Sequence, residues 1–185
     1  MLNRARRATI VLMLLTAAGT AQADDVLLGR VDPETILAIN PEWRANHDAF
    51  EPADSDVRRI ASSPVEARLD TYFGSWCSDS RREVPRLLKI LERASPQNLK
   101  VRFYGLDRTK KEPARLARKG AIVRVPTLIL SVRGREIGRI VEKPQTTLEH
   151  DLAELFERAA SPDSAGGAPT GGARLQAWLE ACLCP

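Results

Sequence analysis

The sequence predicts an α/β fold, a central mixed sheet flanked by helices in three layers, with a helical segment before it and a tethered tail after it. Three observations predict it. From residue 66 onward, runs of strand formers alternate with runs of helical periodicity, which implies a sheet with a parallel part and helices on its faces. Two strand-like runs, Thr127–Val132 and Glu136–Val141, flank a turn at Arg133-Gly134, so part of the sheet is an antiparallel hairpin. A content of 43% hydrophobic and 28% charged residues in 185 suits one core of ordinary size and argues against global disorder.

Residues 24–65 form an N-terminal extension of short, punctuated helices. Asp32 caps one that begins at Pro33; Asn40-Pro41 ends it and starts another through Trp43; Asp54 or Ser55 caps a third through Val57 and Ile60. Residues 66–160 form the main domain. Glu66 to Phe73 reads as a strand ended by Gly74. Cys77 to about Arg93 is a helix with Val84, Leu87, Leu88 and Leu91 on one face. Leu99 to Leu106 is a strand, and Lys111 to Lys119 a basic helix stopped by Gly120. Thr127–Val132 and Glu136–Val141 are the hairpin strands, and Thr146 or Thr147 caps a last helix carrying Leu148, Leu152, Leu155 and Phe156.

The two ends read differently. In residues 1–23, Arg4, Arg6 and Arg7 precede an apolar run from Ala8 to Ala18 and a small-residue site at Ala21-Gln22-Ala23, the pattern of a secretory signal peptide. The run is shorter than the ~20 apolar residues of a membrane span. The expectation is therefore an exported protein, periplasmic or secreted, without stable membrane insertion once the signal is removed. The formal charge of +4 shrinks accordingly: without those three arginines, 25 basic residues face 24 acidic ones. A nucleic-acid or anionic-membrane partner then has no support. Residues 161–173 are rich in glycine and proline and read as a flexible linker. Residues 174–185 form a tail with Trp178, Cys182 and Cys184.

The chemistry concentrates at Cys77. It lies where a strand and a short loop give way to a helix, so free amide groups and the positive end of the helix dipole face its sulfur and favour the nucleophilic thiolate. Arg81 and Arg82 add positive charge there, and Asp79 and Glu83 oppose it. Ser80 sits one turn on, where its hydroxyl can donate to the thiolate but form no disulfide. Pro85 lies inside the helix. Cys77, Cys182 and Cys184 with a histidine, His47 or His150, would be needed for a metal site, and neither histidine has metal-site spacing, so no metal is expected. Nor does any cofactor motif stand out.

The segment Gly74-Ser75-Trp76-Cys77-Ser78-Asp79-Ser80-Arg81-Arg82-Glu83-Val84-Pro85 resembles the active-site loop of the thioredoxin family, with Trp76, Cys77 and Pro85 in place. Val125-Pro126-Thr127 resembles the family's cis-proline loop, which faces the active cysteine and lends backbone groups to a bound peptide. The likeness covers residues 66–160 and implies a thioredoxin-like fold with Cys77 as nucleophile and Trp76, Val125 and Pro126 as the substrate surface. Two positions depart from the pattern. Ser80 replaces the second cysteine, and Thr71 replaces the buried acid six residues before the first, with Asp70 one position off and pointing to the other face.

These readings imply a monothiol site acting on protein or small-molecule thiols and disulfides, by exchange or isomerisation. A mixed disulfide on Cys77 would be released by a second substrate thiol, by a small thiol such as glutathione, or by Cys182 or Cys184. The competing expectation is a non-catalytic binding module or chaperone on the same fold, using the groove between Trp76 and Pro126.

Overall fold

The structure is a computed structural model and describes residues 26–111 and 113–161. In chain order the elements are β1 (Gly29–Val31), α1 (Pro33–Leu37), α2 (Pro41–Asp48), α3 (Asp54–Ala61), β2 (Ala67–Phe73), α4 (Ser78–Ala94), β3 (Leu99–Gly105), α5 (Ala114–Gly120), β4 (Thr127–Val132), β5 (Arg135–Val141) and α6 (Leu148–Ala160). Five strands make one sheet in the order β1-β3-β2-β4-β5. β2 and β3 run parallel, joined through α4, while β1, β4 and β5 pair antiparallel with their neighbours. The mixed sheet flanked by helices is the α/β architecture the alternating pattern implies.

Side chains alternate along β2 and so separate two apolar layers. Leu69 and Phe73 join the large core shared with Val84, Leu87, Leu130, Leu152 and Phe156. Tyr72 faces the other way, into a smaller cluster with Tyr104, Leu106, Ile122, Val125 and Ile129 beneath α5. Thr71 is fully buried on the first face, and Asp70 lies on the second, its carboxylate accepting from Arg68 Nε at 2.8 Å.

Residues 24–65 complete the large core. Trp43 is fully buried and meets Phe73 edge to face at 5.9 Å; Ile36, Val57 and Ile60 pack into the same cluster. The caps at Asp32 and Asn40 form as the sequence implies, each side chain accepting backbone N–H groups of the first turn. The third helix differs. Its cap is Ala53, not Asp54 or Ser55, and Glu149 of α6 accepts the Ala53 N–H at 3.3 Å. A carboxylate from a distant helix does there what a local capping residue usually does.

Three further expectations need correction. β1 went unrecognised, because three residues containing a glycine carry no strand pattern; main-chain pairing with β3 creates it. α5 begins at Ala114 rather than Lys111, because Asp107 accepts the N–H groups of Thr109 and Lys111 and holds that stretch in a turn. Gly120 is the last helical residue rather than the stop, and the left-handed residue is Ala121, φ 47°. Gly120 is needed for proximity: a Cβ there would meet Ile122 Cδ1 at 2.7 Å and the Tyr72 ring at 2.9 Å. The hairpin turn does form at Arg133-Gly134, both with positive φ, the geometry that matches strand twist.

Candidate functional site

Cys77 is the N-cap residue of α4, with extended backbone at φ −95° and ψ 127°, and its carbonyl receives the first helical bond from Arg81 N–H at 3.0 Å. The 17-residue helix therefore starts immediately after the sulfur, at the position the strand-loop-helix pattern implies. Four bonds pin the preceding loop. Cys77 N–H donates to Gly74 O at 3.0 Å, Gly74 N–H to Ser80 Oγ at 3.2 Å, Leu27 N–H to Ser75 Oγ at 3.2 Å, and Trp76 Nε1 to Leu106 O at 2.9 Å.

Cys77 is partly exposed, and its Sγ lies 3.2 Å from the Val125 carbonyl, to which the thiol donates. The Val125–Pro126 peptide is cis. The loop is held from both sides: Glu142 N–H donates to Pro126 O at 2.7 Å, Thr127 Oγ1 to Arg124 O at 2.7 Å, and Arg124 pairs with Glu142 at 2.6 Å. Trp76, Cys77, Val125 and Pro126, far apart in sequence, are thus brought together. Ser80 is fully buried beside them, its oxygen engaged by Gly74. That loop-holding bond was not foreseen; a buried hydroxyl one turn into a helix that follows a tight turn is the signal that would have suggested it. Cys182 and Cys184 lie outside the described residues, as do the proposed signal peptide and all but the first residue of the linker.

The charges near the sulfur are mostly compensated. Arg82 bonds Glu83 at 2.6 Å and Asp79 at 2.9 Å, which holds its guanidinium more firmly protonated than an isolated one, Glu83 contributing most. Arg81 pairs with Glu42 at 2.9 Å. The net help expected from Arg81 and Arg82 is therefore spent on neighbouring carboxylates. Thr71 occupies the position of the expected acid, with its Oγ1 buried and without a hydrogen-bond partner. Arg124 is exposed but ion-paired, and His150 bridges Asp56 of α3 and Glu154 at 3.5 and 3.4 Å. His47 is buried between Asp48 and Glu92. Among the described residues, no three His, Cys, Asp or Glu side chains converge as a metal site. No described helix is long and apolar enough to cross a membrane.

Over 86 residues the chain is 30% identical to mitochondrial thioredoxin-2 of Schizosaccharomyces pombe, a match over 46% of this chain. A strand leads to a cysteine at a helix start, that sulfur faces a proline loop before an antiparallel strand, and 86 residues of the chain align with a thioredoxin. This chain has a thioredoxin-like fold. The alignment spans 60% of that thioredoxin's length. The overall fold is also similar to those of solved structures. A Pseudomonas aeruginosa protein of unknown function superimposes with a TM-score of 0.51 at 15% identity, over 74% of this chain and 90% of that one. An HIV epitope scaffold gives 0.50 at 15% identity, over 71% and 86%. No protein-family model matches the chain.

Proposed function

We propose that this chain is an exported thiol–disulfide exchange protein that works through one nucleophilic sulfur, Cys77. The carrying observation is the placement of that partly exposed sulfur at the start of α4, 3.2 Å from the carbonyl of Val125. A substrate disulfide laid along the Val125–Pro126 loop would meet the sulfur from solvent. The Cys77 thiolate attacks one substrate sulfur, the substrate S–S bond breaks, and the other substrate sulfur leaves as a thiolate with the bonding pair. Trp76, Val125 and Pro126 form the platform, and Ser80 is assigned as a hydroxyl donor to the sulfur while its oxygen holds Gly74.

No second thiol lies among the described residues, so release of the adduct falls to an incoming thiol. Cys182 or Cys184 supplies it in this reading. Ala159 and Ala160, at the end of α6, line a cavity with Ala67 and Val132, at the end of the sheet opposite Cys77. The seven residues of β2 put about 20–25 Å between the two ends. Thirteen residues with the composition of 161–173 span roughly 20 Å root-mean-square and roughly 40 Å extended. The tail therefore has the reach. Support for export is the composition of residues 1–23 alone.

Mass spectrometry of non-reduced protein, after exposure to a peptide disulfide, tests the reading. The adduct is expected on Cys77, absent in Cys77→Ala, and longer-lived in Cys182→Ser/Cys184→Ser. A Cys77 that forms no adduct with any disulfide offered would leave only a binding module using the surface between Trp76 and Pro126.

A further inference from the structure

The crossover from β3 to β4 concentrates charge in a way the whole-chain balance hides. Residues 107–124 hold seven basic residues against two acidic ones, a local +5, whereas the rest of residues 24–185 sums to −4. This basic segment runs past the reactive sulfur. The Arg108 guanidinium lies 5.3 Å and Lys110 Nζ 5.8 Å from the ring centroid of Trp76, the residue before Cys77. Lys110, Lys111, Arg118, Ile122 and Val123 line a surface cavity of about 530 Å3, and Val123, 75% exposed, adds an apolar contact two residues before Val125.

Among the described residues, three acids on this side are already engaged. Asp107 accepts from Thr109 and from Lys111 N–H, Asp79 pairs with Arg82, and Glu142 pairs with Arg124. Arg108, Lys110, Lys111 and Arg118 have no carboxylate partner among the described residues. A field of one sign beside a reactive group raises the local concentration and the association rate of oppositely charged partners, and screening by salt weakens it.

We infer that the substrate of Cys77 is an acidic polypeptide, whose carboxylates dock on the 107–124 crossover while its sulfur reaches Cys77. The inference rests on the thiol-exchange reading above. A polypeptide fits better than a nucleic acid, because the apolar Ile122 and Val123 beside the lysines suit a side chain rather than a phosphate backbone.

The test uses the full chain with Cys182→Ser/Cys184→Ser, leaving one thiol. Three peptides each carry one cysteine as a 2-thiopyridyl mixed disulfide, flanked by glutamates, glutamines or lysines. Attack by the Cys77 thiolate forms the Cys77–peptide disulfide and expels thiopyridone, which is read by absorbance; oxidant and reductant balance within the exchange. The glutamate peptide is expected to react about tenfold faster than the glutamine peptide at low salt and the lysine peptide slowest, with the spread collapsing near 1 M salt, where the Debye length falls to about 3 Å. Lys111→Glu/Arg118→Glu, at two exposed positions, takes the crossover from +5 to +1 and is expected to remove most of the spread between the peptides. Equal rates for the three peptides, or a spread unmoved by these substitutions, overturn this inference and leave the exchange reading standing. No reaction of Cys77 with any peptide overturns both. An oligonucleotide that binds the crossover while the three peptides react alike would assign this surface to nucleic acid instead.

Discussion

The Cys77 sulfur and the Val125 carbonyl oxygen stand 3.2 Å apart, joining the first turn of α4 to the loop before β4. Forty-eight residues separate them in sequence. The parallel β2–β3 pair and the antiparallel β2–β4 pair bring them to the same end of the sheet. Replacing Cys77 by alanine should therefore abolish mixed-disulfide formation while leaving the far-ultraviolet circular dichroism unchanged. Retained adduct formation in that variant would move the chemistry to Cys182 or Cys184.

Ser80 separates two roles by two substitutions. Ser80→Ala removes the oxygen that accepts the buried Gly74 N–H, and the orphaned donor should cost about 1–3 kcal/mol in denaturant unfolding. Ser80→Cys restores a pair of thiols across the first turn of α4. In that variant, adducts on Cys77 should shorten in lifetime, and peptide mapping should recover a disulfide between Cys77 and the introduced thiol. Unchanged lifetimes would show that position 80 cannot deliver a resolving sulfur.

Trp43 tests the standing of residues 24–65. It is fully buried against Phe73 in the core that also holds α4 and α6. Trp43→Ala should lose about 3–5 kcal/mol, enough to unfold much of a marginal domain. A loss below about 1 kcal/mol would mean that these helices are a detachable cover instead of part of the core.

Tyr72 gives a pH dependence. Burial, with the Asp70 carboxylate second, pushes its phenol up to about 12 from a usual 10.0. The folded state thus keeps a proton that the unfolded chain releases earlier. The resulting stability is complete below about pH 10 and lost as the pH rises towards about 12, on the order of 2 kcal/mol. Tyr72→Phe should flatten that part of the stability curve measured by urea unfolding. If wild type and variant fall in parallel across that window, the phenol is not the cause.

Much of the fold was written in local pattern. The helix from Cys77, the strands at 67–73 and 99–105, the Arg133-Gly134 turn and the caps at Asp32, Asn40 and Thr147 follow from hydrophobic period, turn chemistry and capping, all of which act within a few residues. Cys77 and the proline loop were legible as residues, since their neighbours carry the pattern. What the sequence by itself determined is therefore the elements other than β1 and the position of the cysteine at the start of α4. Tertiary structure alone decided the rest. β1 exists because an edge of β3 is there to pair with, and Glu149 from α6 accepts the N–H of Ala53, the N-cap of α3. Ser80 is turned onto Gly74, Arg81 and Arg82 are matched by carboxylates, and the basic crossover is folded over Trp76. Each of these depends on groups distant in sequence, and hydrogen bonds and charges act through distances that only the packed chain sets.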